Sequence, residues 1–143
     1  MQILETTPDS VQMAALQQAG LPIEDLDNDV PRRWWQAVAE DGWLGLIALE
    51  RHGTIGLLRS LLVRAEARRS GSGRALVGTV ERAAREAGCD ALFLLTTDAD
   101  GYFARLGYAP VERAAVPEAV RATAQFSRLC PASATVLRKP LPA

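Results

Sequence analysis

Apolar residues change their spacing along the chain, and each change marks a different kind of element. From Trp34 to Ala39, Trp43 to Glu50 and Ile55 to Val63 they form short strand-like runs. The separators Glu40-Asp41-Gly42 and Arg51-His52-Gly53-Thr54 carry the glycines that hairpin turns use. The pattern predicts a three-strand antiparallel meander. Its last strand ends apolar on both faces, as a central strand does. From Gly71 to Ala87 the spacing becomes helical, with Leu76, Val80, Ala83, Ala84 and Ala87 on one face and Gly88 as the stop. Asp90 to Thr96 returns to a buried-strand run, Ala91-Leu92-Phe93-Leu94-Leu95. Strand, helix, strand in that order predicts a parallel crossover.

The flanks complete the picture. Met1 to Glu5 reads as an edge strand, followed by a helix capped by Thr7 with Pro8 at its first position. Val11, Ala14, Ala15 and Ala19 give that helix its apolar side, and Gly20 and Pro22 end it. Leu21 to Arg33 reads as an irregular acidic loop. Ala99 to Leu106 is a short helix stopped by Gly107; Val111 begins a strand, Pro117 to Leu129 is a helix, and Ala134 to Lys139 a final strand. The fold class is α/β: one domain over residues 1–143, a mixed sheet with an antiparallel N-terminal meander and a central βαβ crossover.

Composition narrows the function classes. With 143 residues and 48% hydrophobic content the chain can bury one core, so size does not call for disulfides or a structural metal. A net charge of −1 argues against nucleic acid as the main partner. Cys89 and Cys130 are too few for a disulfide framework, and neither stands at metal-ligand spacing from His52. There is no signal-peptide pattern and no apolar run near the ~20 residues that span a bilayer. The expectation is a soluble cytoplasmic protein with no membrane partner.

The chemistry concentrates between the third meander strand and the long helix, in Arg68-Arg69-Ser70-Gly71-Ser72-Gly73. Glycine permits positive φ and close approach of a ligand to the backbone. The first helical turn offers unpartnered N–H groups at the positive end of the dipole, which suits an anion. Arg68, Arg69 and Arg74 add charge. On spacing alone, a tight turn with solvated arginines competes with an anion cradle. Arg59 interrupts an apolar strand; a buried arginine takes either a glutamate on a neighbouring strand or a substrate carboxylate. Ser60 beside it can donate a hydrogen bond to substrate. His52 reads as a surface turn residue, and Trp34, Trp35 and Trp43 as core bulk, a homodimer interface or an aromatic substrate wall.

Arg68-x-x-Gly71-x-Gly73, after Leu61-Leu62-Val63 and opening a helix, resembles the acetyl-coenzyme A signature of the GCN5-related N-acetyltransferase superfamily, Gln/Arg-x-x-Gly-x-Gly/Ala. The resemblance implies that amides from Arg69 to Arg74, with Ser70 and Ser72 between, hold the coenzyme diphosphate. It implies that the backbone of Leu61, Leu62 and Val63 pairs with the pantetheine arm and polarises the acetyl carbonyl. A second frame, Thr96-Thr97-Asp98-Ala99-Asp100-Gly101-Tyr102-Phe103-Ala104-Arg105-Leu106-Gly107-Tyr108, resembles the superfamily's Asn-x-x-Ala-x-x-Phe-Tyr-x-x-x-Gly-Phe. Here Thr96 stands where an asparagine commonly contacts the coenzyme, and Phe103 where a tyrosine commonly protonates the departing thiolate. Tyr102 is turned about 100° from that position on a helix. Tyr102, Tyr108 and solvent remain alternatives for the acid, and Glu50, Glu66 and water for the base.

Gly56 to Leu61, Tyr102 to Tyr108 and Thr123 to Ala134 together look like the small N-acetyltransferases associated with arsenic-resistance operons. That resemblance implies acetyl transfer to the amine of a small molecule, an organoarsenical or amino-acid-like toxin among the candidates, with acetyl-coenzyme A as co-substrate and no metal. Cys130 is then either packing or an arsenic ligand. A coenzyme A-binding sensor without turnover is the alternative that Phe103 and the missing base keep open.

Overall fold

The computed structural model describes residues 1–26, 30–123, 125–126 and 133–142. Its sheet is built from β1 (Gln2–Thr6), β2 (Arg32–Ala39), β3 (Gly42–His52), β4 (Ile55–Val63), β5 (Ala91–Thr96), β6 (Ala109–Val111) and β7 (Thr135–Pro140). The strand order is β1-β2-β3-β4-β5-β7-β6, and every neighbouring pair is antiparallel except β4 with β5. The meander and the central crossover predicted from the hydrophobic pattern are both present.

The crossover helix, α2 (Ser72–Glu86), turns Leu76, Val77, Val80, Ala83 and Ala84 onto the sheet. They meet Ile47, Leu49, Leu58, Leu92 and Leu94 in the main core. The opposite face of the sheet carries two smaller clusters. One joins Leu57, Phe93 and Val136 to Val120 of α4 (Glu118–Arg121), and the other joins Trp34, Leu46 and Ala48 to Leu16 of α1 (Ser10–Gln18). Trp34 and Trp35 are buried within the chain, and Trp43 lies under the Arg64 guanidinium, 5.2 Å from its ring centroid.

Three flanking elements differ from the sequence expectation. The cap of α1 is Asp9, not Thr7: its side chain accepts from the Gln12 amide at 2.7 Å, and the Gln12 side chain accepts from the Asp9 amide at 3.1 Å. That reciprocal capping box moves the helix start past Pro8. The alanine stripe is not the buried side either, because Leu16 and Gln12 face inward and Val11 faces solvent. Val111 ends β6 rather than beginning a strand. The helix expected from Pro117 reaches only Arg121 as α4. Thr123 then donates its hydroxyl to the Val120 carbonyl and accepts from the Phe126 amide, diverting backbone groups from the helical pattern. Gln125 and Phe126 are π-helical, and the stretch of that expected helix beyond Phe126, with Cys130, lies outside the described residues.

Candidate active site

The site begins where a pairing stops. β4 and β5 run parallel, yet only Ile55–Leu57 pair with Ala91–Phe93. Beyond Leu57 and Phe93 the two strands share no ladder, so the sheet opens into a cleft. The same strand bulges on its other edge. Ala48 faces Arg59 and Leu46 faces Leu62, so Ser60 and Leu61 together stand opposite Ile47. Ser60 takes the bulge at φ 61°, a left-handed conformation uncommon for a residue with a side chain.

After β4 the chain makes a 3₁₀ turn at Ala65–Ala67 and enters α2 through two left-handed residues, Arg69 at φ 71° and Gly71 at φ 87°. Gly71 is the N-cap and offers no side-chain cap, so of the first-turn amides of α2 only that of Ser72 has a side-chain partner, the Ser70 hydroxyl. The Ser70 hydroxyl donates to the Ser72 hydroxyl at 2.9 Å and accepts from the Ser72 amide at 3.3 Å, which braces the loop. Of the residues expected at a coenzyme site, Leu61, Leu62 and Val63 form one wall of a cleft of about 710 Å³. Arg68, Arg69, Gly71, Gly73 and Arg74 form its end.

The opposite wall comes from α3 (Asp100–Arg105). Tyr102, not Phe103, faces the cleft. Phe103 is buried in the core, edge-on to Tyr102 at 5.3 Å and to Tyr108 at 5.5 Å. Thr96 points its hydroxyl at the start of α3, accepting from the Ala99 amide at 2.9 Å. Neither Phe103 nor Thr96 lines the cleft in this structure. Tyr108 is turned to α2, donating to Glu81 at 2.9 Å, while Lys139 holds both Glu81 oxygens at 3.1 Å. Burial, and then the Glu81 charge, push the Tyr108 phenol far above its ordinary range.

On the face of the sheet opposite α2 lies a buried charge cluster. Arg59 donates through Nη1 to Asp25 Oδ2 at 2.6 Å and to Glu50 Oε2 at 2.7 Å, and through Nη2 to Asp25 Oδ1 at 2.9 Å. Arg32 Nε reaches Glu50 Oε2 at 2.6 Å, and His52 Nε2 lies 3.1 Å from Glu50 Oε1. Two arginines balance two carboxylates. Burial by itself would raise the pKa of Glu50, but hydrogen bonds from His52, Arg59 and Arg32, with the charge of Arg59, hold it at about 2. Among the described residues, three buried side-chain polar atoms have no hydrogen-bond partner: Arg59 Nε, Ser60 Oγ and Gln125 Oε1. A smaller cavity of about 230 Å³ opens against Asp25, Arg32, Glu50 and His52 on one side and α4 on the other.

Asp25 and Arg32 are functional-cluster residues that no motif in the sequence marks, and the expectation of His52 as a surface turn residue is corrected. His52 instead ends β3, half-buried against Glu50. Arg32 was within reach, since continuing the β2–β3 register two residues past Trp34 sets it opposite Glu50. Asp25 had no such signal, because it arrives from an irregular segment. Among the described residues, no three of His, Cys, Asp and Glu gather as a metal site.

Residues 2–108 match the sequence pattern of the acetyltransferase (GNAT) family. Among solved structures, N-acetylglutamate synthase from Neisseria gonorrhoeae superposes with a TM-score of 0.78 at 18% identity, over 100% of this chain and 36% of that one. This chain therefore spans about a third of that enzyme. An acetyltransferase of the GNAT family from Staphylococcus aureus Mu50 gives 0.73 at 17% identity, over 99% and 100% of the two chains. Tetrahymena GCN5 gives 0.75 at 15% identity, over 99% and 97%. No curated protein matches by sequence.

Proposed function

The chain belongs to the acetyltransferase (GNAT) family, and from that premise we propose that it transfers the acetyl group of acetyl-coenzyme A to the amine of a small molecule. The observation that carries the reading is the cleft between β4 and α3, which ends on the uncapped α2 N-terminus. A side chain at Gly73 would start 2.6 Å from the Tyr102 oxygen and 3.3 Å from Val63 Cγ2. The site thus needs its bare backbone there. First-turn amides with Arg68, Arg69, Arg74 and Arg105 supply donors and positive charge, against the single carboxylate of Asp98 on the lining, a balance that suits a diphosphate. The N. gonorrhoeae synthase was crystallised with coenzyme A and N-acetyl-glutamate, a precedent for this ligand on this fold.

Bound acetyl-coenzyme A would supply an activated thioester. The chain's part is to hold it along Leu61–Val63, where backbone amides can meet charge developing on the acetyl oxygen. Attack by the amine is direct, because among the described residues no nucleophile–base pair lines the cleft to form an acyl-enzyme. Glu50, held at about 2, is a weak base at neutral pH; we assign deprotonation of the amine to water. Tyr108 is committed to Glu81, so solvent protonates a thiolate that is already a tolerable leaving group.

For the acceptor we assign Ser60 Oγ and the Nε–H of Arg59, both buried, without partners among the described residues and just behind the lining residue Leu61. The Arg59 fork is filled by Asp25 and Glu50. What it offers is single hydrogen bonds in a charge-balanced setting, which fits a neutral or zwitterionic amine better than an anion that needs a bidentate clamp. An amino-acid-like toxin or an organoarsenical amine falls in that class, and the arsenic association rests on the sequence resemblance alone. Cytoplasmic action belongs to the same reading: no helix among the described residues is long and apolar enough to cross a membrane, and Cys89 is a free buried thiol suited to a reducing compartment.

The test measures thiol release from acetyl-coenzyme A across a panel of amines, with calorimetry on Gly71→Asp. Gly71 sits at φ 87° with no atom within 4 Å of a Cβ built on it, so aspartate adds negative charge without a clash, and Gly71→Asn, which carries the same left-handed backbone strain without the charge, is the control. Release with at least one amine, and loss of coenzyme binding in Gly71→Asp, are expected. Tight coenzyme binding with no release for any amine would favour a coenzyme A sensor. Unchanged affinity in Gly71→Asp would remove the cradle assignment.

A further inference from the structure

The superfamily frame makes Tyr102 the nearest substitute for the tyrosine missing at position 103, a general acid at the coenzyme sulfur. The structure sets it elsewhere. Its phenol oxygen lies against the first turn of α2, so close that a Cβ on Gly73 would be 2.6 Å from it. Arg74, in the same turn, is the charge that acts on this phenol, lowering a pKa that burial raises. The hydroxyl has no hydrogen-bond partner among the described residues. The ring is held edge-on by Phe103 at 5.3 Å, so its direction is set by the core and not by solvent. Tyr102 remains 38% exposed, and it lines the cleft at the end that Gly71, Gly73 and Arg74 close.

Resting on the acetyltransferase reading, we propose that Tyr102 is a donor to the coenzyme diphosphate, a hydroxyl that α3 adds to the α2 N-terminus, and not the acid that protonates the thiolate. The two roles belong to opposite ends of the coenzyme. A diphosphate over the α2 N-terminus is separated from its thioester by the whole pantetheine arm, which in this reading runs along Val63, Leu62 and Leu61. A phenol at Gly73 is therefore with the phosphates. Its chemistry suits them, since a diphosphate accepts hydrogen bonds and the phenol is a free donor beside an arginine. Gly73 is then a glycine for two reasons: its amide faces the anion, and its missing side chain is the space the Tyr102 hydroxyl uses.

Tyr102→Phe with two donors separates the roles. The variant keeps the ring, so the contact with Phe103 and the fold are retained. Calorimetry should show coenzyme A binding about 10-fold more weakly, the effect of one hydrogen bond to a charged group. With acetyl-coenzyme A, KM should rise by about the same factor while kcat holds. S-acetylpantetheine carries the thioester but no diphosphate, and wild type and variant should use it with equal kcat/KM. A fall in kcat that persists with S-acetylpantetheine overturns the proposal in favour of a general acid. Unchanged coenzyme A affinity in the variant overturns it outright. Wild-type protein that fails to bind coenzyme A overturns the acetyltransferase reading together with it, so the two failures are told apart.

Discussion

Replacing Glu50 by glutamine asks how much the buried cluster stabilises the fold. The substitution keeps the side-chain shape and removes one negative charge, leaving Arg32 and Arg59 balanced by Asp25 alone. The magnitude follows from the carboxyl's own titration. Its pKa falls from an ordinary 4.5 to about 2 in the folded chain, so the ionised form contributes about 3 kcal/mol to folding. Because the folded pKa is the depressed one, that contribution is complete above pH 4.5 and is lost as pH falls through about 2. Glutamine resembles the protonated acid, so Glu50→Gln should cost about 3 kcal/mol at pH 7. With an unfolding entropy of about 2.1 cal/mol/K per residue, that lowers Tm by about 10 °C. Urea titration followed by tryptophan fluorescence suits the measurement, since Trp34 and Trp35 are buried within the fold. The gap between variant and wild type should shrink to about 1.5 kcal/mol at pH 3. A gap under about 1 kcal/mol at pH 7, or one equal at both pH values, would refute the claim that Arg32, Arg59 and His52 hold this carboxylate ionised.

Two further outcomes follow from the same geometry. Arg59→Leu strands the Asp25 and Glu50 carboxylates with fewer cations, and we expect a loss of about 3–5 kcal/mol in stability, read by urea titration, before any effect on an acceptor KM can be measured. Near-wild-type stability would mean that the cluster is not a structural unit. Tyr108→Phe removes the O–H bond to Glu81 at a cost of about 1 kcal/mol in thermal unfolding and leaves kcat unchanged; a large fall in kcat would return Tyr108 to the list of candidate acids.

The elements with long, consistent periodicity were readable along the chain. The meander, α2, β5 and the short helix before Gly107 each repeat one apolar spacing against turn residues with one conformational use, so local physics decides them. The loop proposed as the cradle was readable for the same reason: Gly71, Gly73 and the arginines are contiguous, and Gly71 does stand at the start of α2. What could not be read locally came from contacts across the fold. Asp9 rather than Thr7 caps α1 because Gln12 returns the hydrogen bond, and two nearby capping residues with similar propensity do not settle that choice by themselves. The partners of Arg59 lie 34 and 9 residues away; a buried guanidinium announces that it needs anions, but only the packing of the Leu21–Arg33 segment on the meander decides which. Tyr102 and Phe103 are adjacent and both aromatic, and the choice of which one faces the cleft is made by the rotation of α3 on the core. Spacing alone could propose a coenzyme cradle, because the chemistry such a cradle uses is backbone and local. The proposed acceptor side, the Asp25–Arg32–Glu50–Arg59 cluster with Ser60, is gathered from four separate segments, and those come together only in the folded chain.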